Sequence, residues 1–329
     1  MSSGIWISEA EVVSLMSLPE AIDALGEGLR EEAAGCAHNM VKTHATWGDG
    51  ATLHAIGAVF EGWGVVGTKT WAHTPGGAMP LLILIDASNG SVVAIIEAFA
   101  LGQMRTGGIS GVATDLLARP GARRLAMIGA GKQSLTQVAA VAAVRELEQV
   151  AVWSPTAASR EALAARIESQ LGISAVATDT LEGALDAAEI VTLATRARAP
   201  FLLSDMLQPG VHINAVGAIT PERAEFEPAL LSRAARLAAD SVPQVRRLSR
   251  EFMDAFGEDE AQWQQLRPLA ELVSAGTQRP AEADLTLFKA MGMGISDLSL
   301  GYAILQKARA AGLGKPLPAV ARQAPRLTR

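Results

Sequence analysis

The sequence predicts an α/β protein in which an α+β domain precedes a parallel sheet covered by helices on both faces. Hydrophobic residues make up 49% of the 329 residues and aromatic residues only 4%, so small aliphatic side chains carry the apolar content. That composition suits helices packed on a sheet. Beyond Pro120, short apolar runs of strand length alternate with helical patterns, which is typical of a parallel sheet. A chain of this length has room for two cores.

Charge and cysteine content exclude several other classes of protein. The net charge is −6 and the single cysteine is Cys36. A mildly acidic balance argues against a general nucleic-acid surface, and one cysteine excludes an intrachain disulfide. The five histidines follow no metal-binding spacing, so we expect no metal. No signal-peptide pattern and no apolar run of about 18 residues is present, so we expect a cytoplasmic protein that is not bound to a membrane.

The first 118 residues are predicted to form the α+β domain. Ser8 and Glu11 form a capping pair that begins a helix, and a second helix ends at Gly35. The second helix and the final helix of this domain are predicted over residues 19–34 and 98–118. The predicted antiparallel strands span residues 52–56, 63–69, 81–86 and 91–96, with Asn89-Gly90 as the hairpin turn between the last two.

Residues 119–299 are predicted to form the second domain, since Arg119-Pro120-Gly121 stops the preceding helix. Its predicted strands span residues 125–128, 149–153, 174–177, 190–194, 212–216 and 237–240. Its predicted helices span residues 132–147, 157–170 and 180–187. A last helix runs from near Ser296 to Gly312 or Gly314, and we expect residues 300–329 to pack back on the first domain.

A glycine-rich turn joins the first strand of the second domain to its helix. Gly129 permits the tight turn, and Gly131 lets the backbone approach a diphosphate at the start of the helix. Ser134 stands where a third glycine is usual and is small enough to keep helix and strand close. The turn therefore predicts a Rossmann-type dinucleotide site formed by Gly129, Ala130, Gly131, Gln133 and Ser134. The alternative is a glycine turn that only joins a strand to a helix.

The end of the next strand indicates which dinucleotide binds. An NAD-specific site carries Asp or Glu there for the ribose diol, whereas this chain has Ser154 and Thr156, followed by Arg160. Hydroxyl groups and an arginine can accept a 2′-phosphate, so NADP(H) is favoured, with NAD(H) as the alternative. These residues can equally serve to cap the helix that begins near Ala157.

Three further positions are candidate contacts for the cofactor near the junction of the domains. Gly217 follows a predicted parallel strand, at the edge of the sheet where ligands bind in open α/β folds. Thr106 and Asp297 are candidate cofactor contacts from the helices that flank the second domain. The ordinary alternatives are a threonine that bonds within its own helical turn and a carboxylate that is stabilised at a helix N-terminus.

Six blocks in order along the chain carry a resemblance to a known family. The blocks are Gly67-Thr68-Lys69, Leu101–Gly108, Ile128–Ser134, Ile213–Gly217, Thr286–Gly292 and Ser296-Asp297-Leu298. They resemble the ornithine cyclodeaminase/μ-crystallin family. The resemblance implies an α+β domain that also forms the contact of a homodimer, a Rossmann domain, and NAD(P)-dependent chemistry on small amino or cyclic imino acids.

The resemblance also implies the residues that bind the substrate. Lys69 and Arg105 stand where the family holds the substrate carboxylate, and Lys69 is also a candidate proton donor to the imine. A further family arginine is matched here by Lys42, which keeps the charge but loses the bidentate fork. The ordinary alternatives are a solvated edge-strand lysine for Lys69 and an interdomain ion pair for Arg105.

Ile219 separates the candidate activities. The resemblance implies an Asp at this position in cyclodeaminases, where it acts as acid and base on the substrate amine, and isoleucine cannot exchange a proton. The family's imine reductases also lack that Asp. The resemblance thus implies reduction of Δ1-pyrroline-2-carboxylate or Δ1-piperideine-2-carboxylate to L-proline or L-pipecolate. The alternatives are an ornithine cyclodeaminase, another amino-acid dehydrogenase, or a non-catalytic protein that binds NADPH or a small ligand.

Overall fold

A computed structural model describes residues 4–318 and 323–328 and contains two eight-stranded sheets. The first sheet consists of β1 (Ile5–Ile7), β2 (Ala37–Asn39), β3 (Thr43–Trp47), β4 (Ala51–Phe60), β5 (Val65–His73), β6 (Leu81–Asp86), β7 (Val92–Glu97) and β16 (Lys315–Pro316). The helices against it are α1 (Glu9–Leu15), α2 (Leu18–Ala33), α3 (Phe99–Leu117) and α12 (Gly294–Ala311).

The first sheet contains the predicted antiparallel meander from β4 to β7. Gly90 closes the predicted β6–β7 hairpin with a φ of 73°. Four short strands extend the sheet beyond the prediction. β2 and β3 pair with β4, β1 pairs with β7 in parallel fashion, and β16 pairs with β1 in antiparallel fashion. The predicted Ser8–Glu11 capping box is present at the start of α1.

Helix α12 brings a late part of the chain back to the first sheet. A Cβ atom at Gly294 would stand 1.9 Å from the carbonyl oxygen of Gly57 in β4, and one at Gly301 would stand 2.2 Å from Leu82 in β6. Only glycine permits this approach, so the start of α12 lies directly on the sheet. Of the segment 300–329 that we expected here, residues 319–322 and 329 lie outside the described residues.

The second sheet is parallel throughout, which confirms the predicted Rossmann-type α/β class. Its strands are β8 (Arg124–Ile128), β9 (Gln149–Trp153), β10 (Ser174–Ala177), β11 (Ile190–Leu193), β12 (Val211–Ala215), β13 (Ala234–Ala239), β14 (Leu266–Pro268) and β15 (Leu285–Lys289). Their order is β10-β9-β8-β11-β12-β15-β13-β14. Because the chain moves outward from β8 first to one side and then to the other, a crevice opens at the carboxyl ends of β8 and β11.

The helices of the second sheet differ from the prediction in length and number. They are α4 (Ser134–Ala142), α5 (Ala157–Leu171), α6 (Leu181–Leu185), α7 (Ala229–Arg233), α8 (Val242–Leu248), α9 (Arg250–Phe256), α10 (Glu260–Trp263) and α11 (Leu269–Ser274). The prediction carried the first of them to residue 147. It ends at Ala142 instead, and the chain then turns so that the side chain of Arg145 reaches back to α3.

Arg145 closes the C-terminal end of α3, the helix that carries Arg105. Its guanidinium donates to the carbonyl oxygens of Thr114 at 3.0 Å, Asp115 at 2.8 Å and Ala118 at 3.1 Å. The last carbonyl groups of a helix have no partner within the helix, and they carry the negative end of its dipole. A buried arginine therefore fixes the position of α3.

We expect Arg145→Met to lower the free energy of unfolding by about 3 kcal/mol, because several buried carbonyl groups would lose their donors. Urea unfolding followed by circular dichroism measures this change. Arg123→Met is the matched control, since Arg123 is half exposed and pairs with Glu148 at the surface. Its expected cost is below about 1 kcal/mol. Equal losses in the two variants would contradict a special role for Arg145.

Candidate active site

A cavity of about 930 Å³ opens at the carboxyl ends of the second sheet, and it is lined on its other side by residues of the first sheet and α3. Nine of the fourteen residues predicted for the site line it: Lys42, Arg105, Thr106, Gly129, Ala130, Gly131, Gln133, Ser154 and Gly217. The structure does not bring the other five to the cavity wall: Lys69, Ser134, Thr156, Arg160 and Asp297.

The glycine turn has the geometry that close approach of a ligand requires. Gly129 has a φ of 109°, and a Cβ atom there would stand 2.5 Å from the carbonyl oxygen of Ala194. A Cβ atom at Gly131 would meet nothing within 4 Å, so the backbone is open at this point. Ser134 is fully buried at the first turn of α4, as expected for a residue that keeps helix and strand close.

The end of β9 places Ser154 on the cavity wall, whereas Thr156 and Arg160 lie behind the wall. The hydroxyl of Ser154 donates to the carbonyl oxygen of Thr156 at 3.1 Å, and Thr156 is the N-cap residue of α5. Arg160 donates to the carbonyl oxygen of Ser154 at 3.3 Å and pairs with Asp179 on the neighbouring strand end. A direct contact of Thr156 or Arg160 with the cofactor therefore stays a prediction.

Lys69 lies in the middle of β5, not at the end of a strand as expected, and only 3% of it is exposed. The reading as a solvated edge-strand lysine is wrong, because the N-terminal turn of α12 covers it. Its Nζ donates to Oδ1 of Asp297, and Nε of Arg105 lies 3.2 Å from the same oxygen. One fully buried carboxylate thus holds two cations from different elements.

Burial shapes the protonation of these groups. It lowers the pKa of Lys69 from 10.5 to about 8, with Asp297 opposing that shift and the charge of Arg105 adding to it. Burial also lowers the pKa of Lys42, and the nearby positive charge of Arg105 adds to the effect. With a pKa of about 8, Lys69 can exchange a proton near neutral pH.

Asp240, which sequence reasoning missed, holds the turn behind Arg105. Its carboxylate accepts the backbone N–H groups of Met291 at 2.8 Å and Gly292 at 2.7 Å, and Gln244 donates to the carbonyl oxygen of Gly292 at 2.8 Å. A Cβ atom at Gly292 would stand 2.9 Å from Nη1 of Arg105. The turn is therefore the support against which Arg105 packs. A carboxylate directly after an apolar strand was the signal in the sequence.

The small residues around Arg105 serve packing. A Cβ atom at Gly107 would stand 2.8 Å from the backbone of Thr136 in α4, and one at Gly108 would stand 2.7 Å from Leu25 in α2. These glycines allow α3 to approach both helices closely. Thr106 bonds within its own turn, donating to the carbonyl oxygen of Gly102 at 2.8 Å, although it lines the cavity.

The charged residues of the cavity wall are mostly cationic. The cations are Lys42, Arg105, Lys132, Arg196 and Arg223, and the anion is Asp240. Such a cavity suits ligands that carry phosphate or carboxylate groups. Within residues 4–318 and 323–328, no group of His, Cys, Asp and Glu has the arrangement of a metal site. Among the same residues, no helix combines the length and apolar character needed to cross a bilayer.

The parallel sheet, the glycine turn at its reversal point and the cation-lined cavity define a Rossmann-type dinucleotide-binding protein. Residues 5–312 match the model of the ornithine cyclodeaminase/mu-crystallin family. The chain belongs to this family.

Relatives with known activities are similar over nearly the whole chain. A Δ1-pyrroline-2-carboxylate reductase of Bacillus cereus is 27% identical, with 94% of this chain and 98% of the relative covered. An iminosuccinate reductase of Paracoccus denitrificans is 29% identical with the same coverage. The solved Thermococcus litoralis Δ1-pyrroline-2-carboxylate reductase with NADH and L-proline has a TM-score of 0.88 at 26% identity, covering 95% of this chain and 100% of that one.

Proposed function

We propose that this chain reduces the C=N bond of a cyclic 2-imino acid, Δ1-pyrroline-2-carboxylate or Δ1-piperideine-2-carboxylate, to L-proline or L-pipecolate. The chain is an NAD(P)-dependent oxidoreductase. The observation that carries the proposal is the cluster of Lys69, Arg105 and Asp297 beside the cavity for the dinucleotide. The cavity wall also has Ile219 at the position where a cyclodeaminase is expected to carry an Asp.

The residues of the glycine turn fit a dinucleotide. Gly131 leaves room for a pyrophosphate next to the backbone, Lys132 lines the cavity beside it, and α4 directs the positive end of its dipole there. When bound, a reduced nicotinamide supplies the hydride. Ser154 at the end of β9 carries no charge that would repel a 2′-phosphate, which favours NADP(H) over NAD(H). Fluorescence titration with NADPH and NADH tests this preference, and tighter binding of NADH would reverse it.

Two cations at the cavity wall fit the substrate carboxylate. Arg105 and Lys42 line the cavity, and Asp297 and the Gly292 turn fix the position of Arg105 from behind. Lys69 lies behind this wall, next to Arg105 on the same carboxylate. It is our candidate donor of the proton that the imine nitrogen needs, on condition that bound substrate draws its ammonium group from Asp297 to the cavity. Hydride addition to the imine carbon and proton addition at nitrogen together convert C=N to CH–NH. The side chains thereby contribute orientation and charge placement.

We expect the rate of imine reduction to fall as the pH rises through about 8, because Lys69 loses its proton there. The same titration of Lys69 changes the free energy of unfolding in the opposite direction. Between the pKa of about 8 in the folded chain and 10.5 in the unfolded chain, the unfolded chain binds more protons, so this group's contribution to stability rises with pH. A pH profile of kcat/KM measures the first effect.

The Lys69→Arg variant tests whether Lys69 or the substrate causes the expected fall in kcat/KM above about pH 8. We call this fall the alkaline limb of the pH profile. Arginine stays charged throughout the range, so residual activity in the variant should no longer decline near pH 8. Lys69→Met, which removes the charge, should lose most activity at every pH. A limb that keeps its position in Lys69→Arg would assign the titration to another group, Lys42 or the substrate imine.

The direct test of the proposed function mixes the purified protein with NADPH or NADH and each cyclic imino acid. Oxidation of the nucleotide with formation of L-proline or L-pipecolate is expected. Release of ammonia from L-ornithine without net change in the nucleotide would instead support a cyclodeaminase. Tight nucleotide binding without turnover of any imino or amino acid would support a binding protein. The homodimer and the cytoplasmic location stay predictions.

An open-chain imine with two carboxylates is a second candidate substrate. Arg196 and Arg223 line the cavity on the side of β11 and β12, and neither forms an ion pair with a described residue. One of these arginines can bind a second carboxylate. With ammonium, oxaloacetate forms an imine that has two carboxylates, and pyruvate forms an imine that has one. Comparing the rates for these two substrates therefore tests for binding of the second carboxylate. Preference for the oxaloacetate imine, lost in Arg223→Gln, would support this candidate over the cyclic imine.

A further inference from the structure

A buried carboxylate joins two turns of the cavity wall. We define the β11 turn as residues 194–197 and the β12 turn as residues 216–219, and both line the cavity. Glu225 is fully buried between them. Its Oε1 accepts the N–H and the hydroxyl of Thr195, both at 2.7 Å, and its Oε2 accepts the N–H groups of Gly217 at 2.8 Å and Ala218 at 3.0 Å.

The two turns meet closely because of these bonds. A Cβ atom at Gly217 would stand 2.3 Å from the carbonyl oxygen of Thr195 and 2.4 Å from Oε1 of Glu225. The hydroxyl of Thr195 also accepts the N–H of Ala197 at 3.2 Å, so the carboxylate orders the rest of the β11 turn through it. Four donors directed at one carboxylate require its charged form, since a protonated oxygen would lose an acceptor position.

A second set of buried groups supports this charge. Lys289 donates to the carbonyl oxygen of Ala218 at 2.7 Å and lies 3.5 Å from Glu251, which in turn accepts the N–H of Glu225 at 3.1 Å. Burial raises the pKa of Glu225, and the charge of Lys289 and the donated bonds oppose that rise. The cluster is fully hydrogen-bonded at the carboxylate of Glu225, which makes it rigid.

We infer that Glu225 is a positioning residue for the cofactor: it holds the β11 and β12 turns together and thereby sets the width of the crevice beside the glycine turn. β11 is the neighbour of β8 on the side opposite Ser154, and β12 lies one strand further on. The half of the dinucleotide that extends from the pyrophosphate toward Arg105 must pass these turns. This inference rests on the proposed use of NAD(P)(H) and extends it to a residue that does not line the cavity.

The test compares the full-length Glu225→Gln variant with the unchanged protein in two measurements. An amide keeps one acceptor oxygen but replaces the other by a donor that faces backbone N–H groups. We expect the Kd for NADPH and for NADH to rise at least tenfold in fluorescence titrations. Without nucleotide, amide hydrogen exchange should become faster in peptides that cover the two turns. The kcat at saturating nucleotide should change much less than the KM for the nucleotide.

Glu227→Gln is the matched control. Glu227 lies two residues further along and accepts the N–H of Ser204 at 2.5 Å, but it does not line the cavity. Its variant should bind NADPH as the unchanged protein does. Thr195→Val removes one hydroxyl, which donates to Glu225 and accepts from Ala197. This variant serves if Glu225→Gln fails to fold, and a threefold to tenfold rise in its Kd is expected.

The outcomes separate this inference from the proposed substrate. Unchanged Kd and exchange in Glu225→Gln, or in Thr195→Val where that variant is needed, would overturn the inference, as would an equal loss of affinity in Glu227→Gln. A protein that binds NADPH and loses affinity in Glu225→Gln, yet reduces no cyclic imine, would support the inference and reject the proposed function. A protein that binds neither nucleotide would overturn both.

Discussion

Arg105→Met should lower kcat/KM for Δ1-pyrroline-2-carboxylate at least about 100-fold, which corresponds to about 2.8 kcal/mol. The guanidinium lines the cavity and is held from behind by Asp297 at 3.2 Å, so it is already oriented before substrate arrives. Methionine has a similar length but no charge. The loss should appear mainly in KM if Arg105 binds ground state and transition state equally, and in kcat if it orients the imine for hydride transfer.

Two controls accompany the Arg105 variant. Arg105→Lys keeps the charge but not the planar fork and should recover only part of the activity. Arg309→Met removes an arginine from the exposed side of α12 and should leave activity unchanged. The affinity for NADPH should be similar in all three variants. An Arg105→Met protein with normal kcat/KM would show that the substrate carboxylate binds elsewhere.

Gly129→Ala and Gly131→Ala should differ in stability although both lie in one turn. At Gly129, alanine would have to adopt a φ of 109° and would meet the carbonyl oxygen of Ala194, so we expect a loss of about 3 kcal/mol or more in the free energy of unfolding. At Gly131 the position of a Cβ atom is open, so the variant should fold with unchanged stability. The new methyl group would stand where the pyrophosphate approaches the backbone.

Gly131→Ala should therefore weaken NADPH binding at least about tenfold, or about 1.4 kcal/mol, without a change in Tm. Thermal unfolding without nucleotide and fluorescence titration with NADPH measure the two quantities separately. Gly121→Ala is the control, since that glycine also has nothing near the position of a Cβ atom and lies away from the cavity. Normal NADPH affinity in Gly131→Ala would mean that the diphosphate does not lie on this turn.

Elements with strong local signals were predictable from the sequence. The Ser8–Glu11 capping box, the Asn89-Gly90 hairpin and the strand before Gly129 all appear where their residues indicated. Short strands without such signals were not. β1 has three residues and is stabilised by pairing with β7, which is distant in sequence, and β3 is exposed along its whole length. Local propensity carries little information about such strands.

The sequence predicted which residues belong to the candidate site better than it predicted which side chains pair with one another there. The nine predicted residues that line the cavity follow from the glycine turn, the strand ends and the family resemblance. The burial of Lys69 was not foreseen, because its partner Asp297 is 228 residues away. Glu225 and Asp240 escaped attention because a single carboxylate in a loop resembles a solvated one. Their backbone partners become visible only once the strand ends are brought together.

The distance along the chain between Lys69 and Asp297 has a consequence for biosynthesis. Strands β1 to β7 emerge from the ribosome before the second sheet. The helix α12 that covers them follows that sheet, and its Asp297, which neutralises the buried lysine, is translated 228 residues after Lys69. Until α12 docks, an apolar sheet face and an uncompensated ammonium group stay open to water. We expect nascent chains to acquire a competent substrate pocket only in a late step, after the intervening nucleotide-binding fold has formed.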